Sequence, residues 1–284
     1  MSSANEIKEC YGSLSSHVRL ISRDKLTPCL RILSGSIDIY SAKDDREYEI
    51  KKNYFISLND KNRYQRACKI YEVLGSINNK KYDEFRLKIN NQDFFKTLCD
   101  ELTAFSINQY RKNYTNSFIH IYRLLEHISY AFPMLYSSKS KDFRQTYNLL
   151  QSYFENGTKS ELAFFKNFLE KALNGNSLLD TEITIKFKGT EDQKEKFFKL
   201  VNTHTKTTSE SEFDEIKISW ISMPELIIRL RNGFFHYMNG RGNIENHQII
   251  DSDLFFENIN DPFMMWFSSI LQEIICQIFI DLGI

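Results

Sequence analysis

Glycine and proline are scarce, at 10 and 4 in 284 residues. A sandwich or barrel of many short strands needs more turn residues than that, so a mainly α protein is expected. Charge of one sign is lacking too, with 37 Lys and Arg against 37 Asp and Glu. No overall positive field draws in nucleic acid, and any RNA or DNA site must be a local patch. The five cysteines, Cys10, Cys29, Cys68, Cys99 and Cys276, never approach the C-x-x-C spacing of a zinc or dithiol site, and reduced thiols are expected. Met1–Gly12 carries Glu6, Lys8 and Glu9 and lacks the apolar stretch of a secretory leader, which predicts a cytoplasmic protein. The most apolar segment, Phe263–Ile284, is broken by Gln272, Glu273, Gln277 and Asp281 near helical spacing. That pattern fits a bundle helix with one wet edge and not a membrane span.

Aromatic side chains are abundant, with 23 Phe and 15 Tyr, and the hydrophobic fraction of 42% suffices for a sizeable core. Residues 28–58 read as strands: Ile37 and Ile39, then Tyr48 and Ile50, alternate with polar neighbours, and Lys43-Asp44-Asp45 supplies turn chemistry for a hairpin. A short helix is expected from Asp60 to Leu74, closed by Gly75, and a further strand through Phe85, Leu87 and Ile89. Residues 1–90 are therefore expected to form a small α+β module.

From Gln92 the period changes. Phe94, Leu98, Leu102 and Phe105 share a helical face, and Phe118, Ile121, Leu125, Ile128 and Phe132 step by three or four, with Pro133 expected to stop the second helix. Tyr147–Phe154, ended by Asn156-Gly157, and Leu162–Leu173, opened by a Thr158/Glu161 capping box, supply two shorter helices. A β-containing insertion at 176–221 follows, with strands through Ile183–Phe187 and Ile216–Trp220 around a helix at Glu191–Val201 and a polar loop at Thr203–Glu212. A second capping box, Ser222 with Glu225, opens a helix with Pro224 in its first turn and Leu226, Ile227, Leu230 and Phe234 along it. Residues 91–284 are expected to form one helical domain carrying that insertion.

This last helix bears the chemistry. Arg231, Asn232 and His236 stand in a largely apolar run, where unpaired polar atoms are expensive to bury. At about 100° per residue, Asn232 lies near 100° and His236 near 140° from Arg231, so the three share one arc. Gly233 weakens the helix between them. A guanidinium beside an imidazole suits cleavage of RNA: His236 moves the 2′-hydroxyl or leaving-group proton near neutral pH, and Arg231 holds the negative phosphorane, without a metal or other cofactor.

The stretch Arg231-Asn232-Gly233-Phe234-Phe235-His236 resembles the R-x4-6-H signature of the HEPN superfamily, including the polar residue after the Arg. The resemblance spans roughly residues 92–284. It implies a HEPN-like helical bundle and a metal-independent endoribonuclease that leaves 2′,3′-cyclic phosphate ends, acting as a toxin or antiviral defence effector. It also implies a homodimer, because this chain has one motif and the family's active sites join two. Arg231 and His236 would be catalytic, with Asn232 orienting the Arg or the phosphate. Some HEPN toxins carry a Tyr two places after the His; here Met238 stands there, and Tyr237 sits beside His236. A regulatory partner such as an antitoxin belongs to the same expectation. The alternative is a noncatalytic HEPN-like module that binds a nucleotide or a protein partner.

Supporting residues surround the motif. Glu126, on one face with Tyr122 and Tyr130, is placed to pair with Arg231 or to orient His236. Arg229 and Arg241, the latter in Asn239-Gly240-Arg241-Gly242, are candidate phosphate ligands. Phe234, Phe235 and Tyr237 can stack on bases, although Phe234 is better placed for the core. His120 and His127 lack a third ligand at metal-binding spacing.

Overall fold

The computed structural model describes residues 5–8, 25–41, 44–55, 89–137, 142–153, 161–205, 213–235, 244 and 251–282. These are mainly helical, with two small antiparallel sheets. The chain divides into two compact units: residues 1–120 with 267–284, and residues 121–266.

In the first unit, β1 (Asn5–Lys8) pairs with β2 (Asp38–Ser41), which pairs with β3 (Arg46–Glu49). The expected hairpin is present, with Ile39 opposite Tyr48 and both side chains buried. Its tip is tied down by Asp44, which accepts hydrogen bonds from Ser41 Oγ at 2.8 Å, from Tyr48 OH at 3.1 Å and from Arg111. The strand reading of 28–58 does not hold at its start, since Leu26–Leu33 is a helix, α1. All eight of its residues are buried, Thr27 and Arg31 included, and Pro28 lies in the first turn, where a missing N–H costs little. The helix ends in a pair of reverse bonds, Ser36 N–H to Arg31 O at 2.9 Å and Gly35 N–H to Ile32 O at 3.0 Å.

Gly35 has φ +62, and a Cβ there would collide with the backbone of Lys51 and Lys52. Gly35→Ala combines a left-handed conformation with a clash that no side chain can relieve. It is expected to lower stability by about 2 kcal/mol or more, read from chemical denaturation. A loss within a few tenths of a kcal/mol would show that the turn is not formed as described.

Next, α2 (Ile89–Tyr110) packs on α1. The first long helix therefore shares a core with the N-terminal residues, although the sequence changes period near residue 90. The helix and strand expected at 60–74 and 85–89 lie outside the described residues, apart from Ile89, which begins α2. Then α3 (Tyr114–Ser137) runs through Pro133 instead of stopping before it. One lost amide donor is tolerated because Ile128, Ser129 and Phe132, in the turn before it, are buried.

The second unit adds α4 (Phe143–Tyr153) and α5 (Glu161–Ala172); Thr158, Asn156 and Gly157 fall outside the described residues. The expected strands at 183–187 and 216–220 form in the main, whereas the helix between them runs to Thr205, into the expected loop at Thr203–Glu212, of which residues 206–212 lie outside the described residues. β4 (Glu182–Lys186) pairs antiparallel with β5 (Glu215–Ser219), Ile185 facing Ile216, and α6 (Glu191–Thr205) lies between them in the chain. A short 3-10 turn, Trp220–Ser222, leads into α7 (Met223–Phe235), and α8 (Ser252–Leu282) closes the chain. α8 begins before the expected Phe263 and contains Pro262. Among the described residues no helix is long and apolar enough to cross a membrane.

Candidate functional site

The helix α7 is set by what precedes it and by one apolar stripe. Trp220 is buried against Trp266, their ring centroids 5.8 Å apart, and its amide donates to Thr181 O at 2.9 Å. Met223, Leu226, Ile227 and Leu230 are fully buried along the helix, and α5 and α6 pack against it. Phe234 stacks on Phe255 at 5.8 Å and lies 4.7 Å from Phe256, so it belongs to the packing, whereas Phe235 is 40% exposed. These contacts fix the rotation of α7 and leave Arg229 and Asn232 exposed and Arg231 half-buried.

The capping box expected from Ser222 and Glu225 is replaced by other partners. Ser222 Oγ bonds Ser219 Oγ at 2.8 Å. The Glu225 carboxylate is taken by two cations: Arg229 donates Nε and Nη2 to Oε1 at 3.0 and 2.6 Å, and Lys166 reaches Oε2 at 3.2 Å. Arg229, expected as a phosphate ligand, is thus committed to a carboxylate one turn earlier. Burial alone would raise the Glu225 carboxyl, but the hydrogen bonds from Arg229 and Lys166 outweigh it and hold the group below its ordinary value.

A depressed carboxyl stabilises the fold above its unfolded value, near 4.5, and that contribution disappears as the pH falls through the lowered folded value. Because the pair is more than a third exposed, screening keeps the gain small. Glu225→Gln is expected to cost about 0.5 kcal/mol at neutral pH and progressively less below pH 4.5. Denaturation midpoints of the two proteins across pH check this; a difference that grows on acidification would contradict it.

Arg231 is treated differently. Among the described residues no carboxylate lies within ion-pair distance of it. Its guanidinium carbon sits 4.5 Å from the centroid of the Tyr122 ring, and Nη1 donates to Asn232 Oδ1 at 3.0 Å. A cation over a ring face is attracted by the ring's quadrupole and not by a counter-charge, so this contact leaves its positive charge available for an anion. Two arginines on one helix thus differ in kind: Arg229 shares the Glu225 carboxylate with Lys166, and Arg231 has no carboxylate partner among the described residues.

Glu126 is exposed on α3, one turn after Tyr122, and among the described residues its carboxylate has no hydrogen-bond or ion-pair partner. The expected pairing with Arg231 is not formed; the tyrosine occupies the face that the guanidinium adopts. Tyr122 was visible in the sequence only as a member of the Tyr122, Glu126, Tyr130 face, and its four-residue spacing from Glu126 was the one available signal. Lys166 had no sequence signal at all, since it meets Glu225 only through the packing of α5 on α7.

At the end of α7 the amide of Ile244 donates to Gly233 O at 3.0 Å, satisfying one carbonyl of the last turn. His236, Tyr237 and Arg241 fall in the sequence between those two bonded residues and lie outside the described residues, as does Met238. The two other histidines of interest are already engaged, His120 Nδ1 with Glu101 at 2.6 Å and His127 Nδ1 with Tyr130 OH at 3.1 Å. Among the described residues no three His, Cys, Asp or Glu side chains are grouped to hold a metal ion. No protein-family model matches the chain, and neither the curated proteins nor the solved structures contain a match.

Proposed function

We propose that this chain is a metal-independent endoribonuclease of HEPN type, working as a homodimer and serving as a toxin or antiphage defence effector. The observation that carries the reading is the guanidinium of Arg231, without a carboxylate partner among the described residues, held over the Tyr122 ring and steadied by Asn232, at the head of the R-x4-H motif. A cation kept in place without a carboxylate partner has its electrostatic attraction left for a ligand, and the phosphorane of a transesterifying RNA is the anion that this motif serves.

Cleavage moves two protons. His236 takes the proton of the 2′-hydroxyl, the 2′-oxygen attacks phosphorus, and the 5′-oxygen leaves as it gains a proton. The His236 of a second subunit supplies that second proton, which is the chemical reason for a homodimer when the chain has one motif. Arg231 holds the equatorial oxygens while the added negative charge develops. Asn232, bonded to Nη1, keeps the guanidinium plane from turning. Glu126 and Tyr237 are supporting groups, and Arg241 is the phosphate ligand outside the motif.

Incubation of purified protein with RNA in EDTA tests this. Cleavage that Arg231→Ala and His236→Ala each abolish, in variants that stay folded, supports it. Cleavage unchanged by both would remove the assignment, and loss of nucleotide or partner binding without any turnover would favour the noncatalytic module.

A further inference from the structure

We infer that Tyr122 is a positioning residue for Arg231, setting the guanidinium in the orientation that meets phosphate. The role rests on the ribonuclease reading given above, while the contact itself does not. Tyr122 belongs to α3 and Arg231 to α7, so two helices far apart in sequence are brought together at this point. The ring is only 8% exposed and therefore rigid, with Ile121, Leu124 and Leu125 buried around it on the same helix. A long arginine side chain on a helix surface ordinarily samples many rotamers, and a fixed aromatic plane 4.5 Å from its guanidinium carbon removes most of that freedom before substrate arrives.

A carboxylate would hold the arginine as firmly, as Glu225 holds Arg229, but it would neutralise the charge and compete with phosphate for the same N–H groups. A tyrosine face does neither. The order here is thus achieved by a group that leaves both charge and donors to the ligand, and the transition state is where that order counts, so kcat and not KM should carry the effect.

Arg231 meets the ring face, which Tyr122→Phe keeps, so the conservative variant is informative. Tyr122→Phe is expected to keep kcat within about twofold of wild type, while Tyr122→Leu lowers kcat about tenfold with KM nearly unchanged. A second measurement does not depend on activity. In protein labelled with ¹⁵N-arginine, the Nε–Hε signal of Arg231, assigned by its disappearance in Arg231→Lys, should lie upfield of exposed arginines through the ring current of Tyr122. It should stay there in Tyr122→Phe and return to the exposed position in Tyr122→Leu.

A wild-type signal at the exposed position overturns the contact, and this holds even if Tyr122→Leu fails to fold. A shift that behaves as stated, with kcat equal in wild type and folded Tyr122→Leu, overturns the positioning role while leaving the ribonuclease reading intact. A displaced signal in a wild-type protein that cleaves no RNA overturns the ribonuclease reading and the role with it, and leaves only the stack.

Discussion

Replacing Arg231 with alanine is expected to lower RNA cleavage by about a hundredfold or more, the usual loss when one preorganised donor to a developing oxyanion is removed. Stability should hardly move, because the side chain is only partly buried and its partners among the described residues are one neighbouring amide and one ring face. His236→Ala should lose about as much, since a proton-transfer group contributes on the order of a hundredfold to ten-thousandfold. Arg229→Ala makes the instructive contrast. Its guanidinium is already engaged by Glu225, so its loss should be several-fold at most and should appear as a modest fall in stability. Equal and large losses from Arg229→Ala and Arg231→Ala, measured as initial rates on one RNA, would mean that the difference between the two arginines has no functional meaning.

The largest expected effect on stability is that of Trp220→Ala. The indole is 2% exposed, lies against Trp266, and sits at the junction where β5 becomes α7. Truncation leaves a cavity that the flanking strand pair cannot close, because β4 and β5 are held in register from Glu182–Ser219 to Lys186–Glu215. The cost should be about 3–5 kcal/mol by urea or guanidinium denaturation, a large share of the stability of most domains. Cleavage should fall with it at temperatures where wild type is active, since the rotation of α7 depends on this anchor. A loss below about 1 kcal/mol would show that the junction can repack and does not set the helix.

The parts of the fold that were legible in the sequence are those with a clean period. Ile183, Ile185 and Phe187 alternate, as do Ile216, Ile218 and Trp220, and the two runs, short of Phe187 and Trp220, became one antiparallel strand pair. The apolar stripe Leu226, Ile227, Leu230 placed α7 to within a residue or two. The failures share a cause, which is packing that no local signal announces. α1 is only eight residues long, with Pro28 inside it, too short a run for its period to stand out. Pro133 and Pro262 lie within helices whose buried neighbours outweigh one missing hydrogen bond. β1 is four residues long and exists by pairing with β2, thirty-odd positions away.

The candidate site divides along the same line. Arg231 and Asn232 stand out in sequence because polar groups in an apolar helix are conspicuous, and the spacing to His236 is a local property. What holds Arg231 is not local. Tyr122 comes from a helix about a hundred residues earlier, and helical spacing alone favoured Glu126, one turn along the same face. Glu225 was assigned to its own helix start by a four-residue rule, but the packing of α5 brought Lys166 to it, and Arg229 completed the pair.

The most direct test of the central claim is the chemistry of the ends that the protein leaves on RNA. With wild-type protein in excess EDTA, mass spectrometry of the products should show 2′,3′-cyclic phosphate on the upstream fragment and a free 5′-hydroxyl on the downstream one. Both should be absent with Arg231→Ala. Intact RNA, or fragments carrying 3′-hydroxyl and 5′-phosphate ends, would contradict an Arg231 and His236 site that works through the 2′-oxygen.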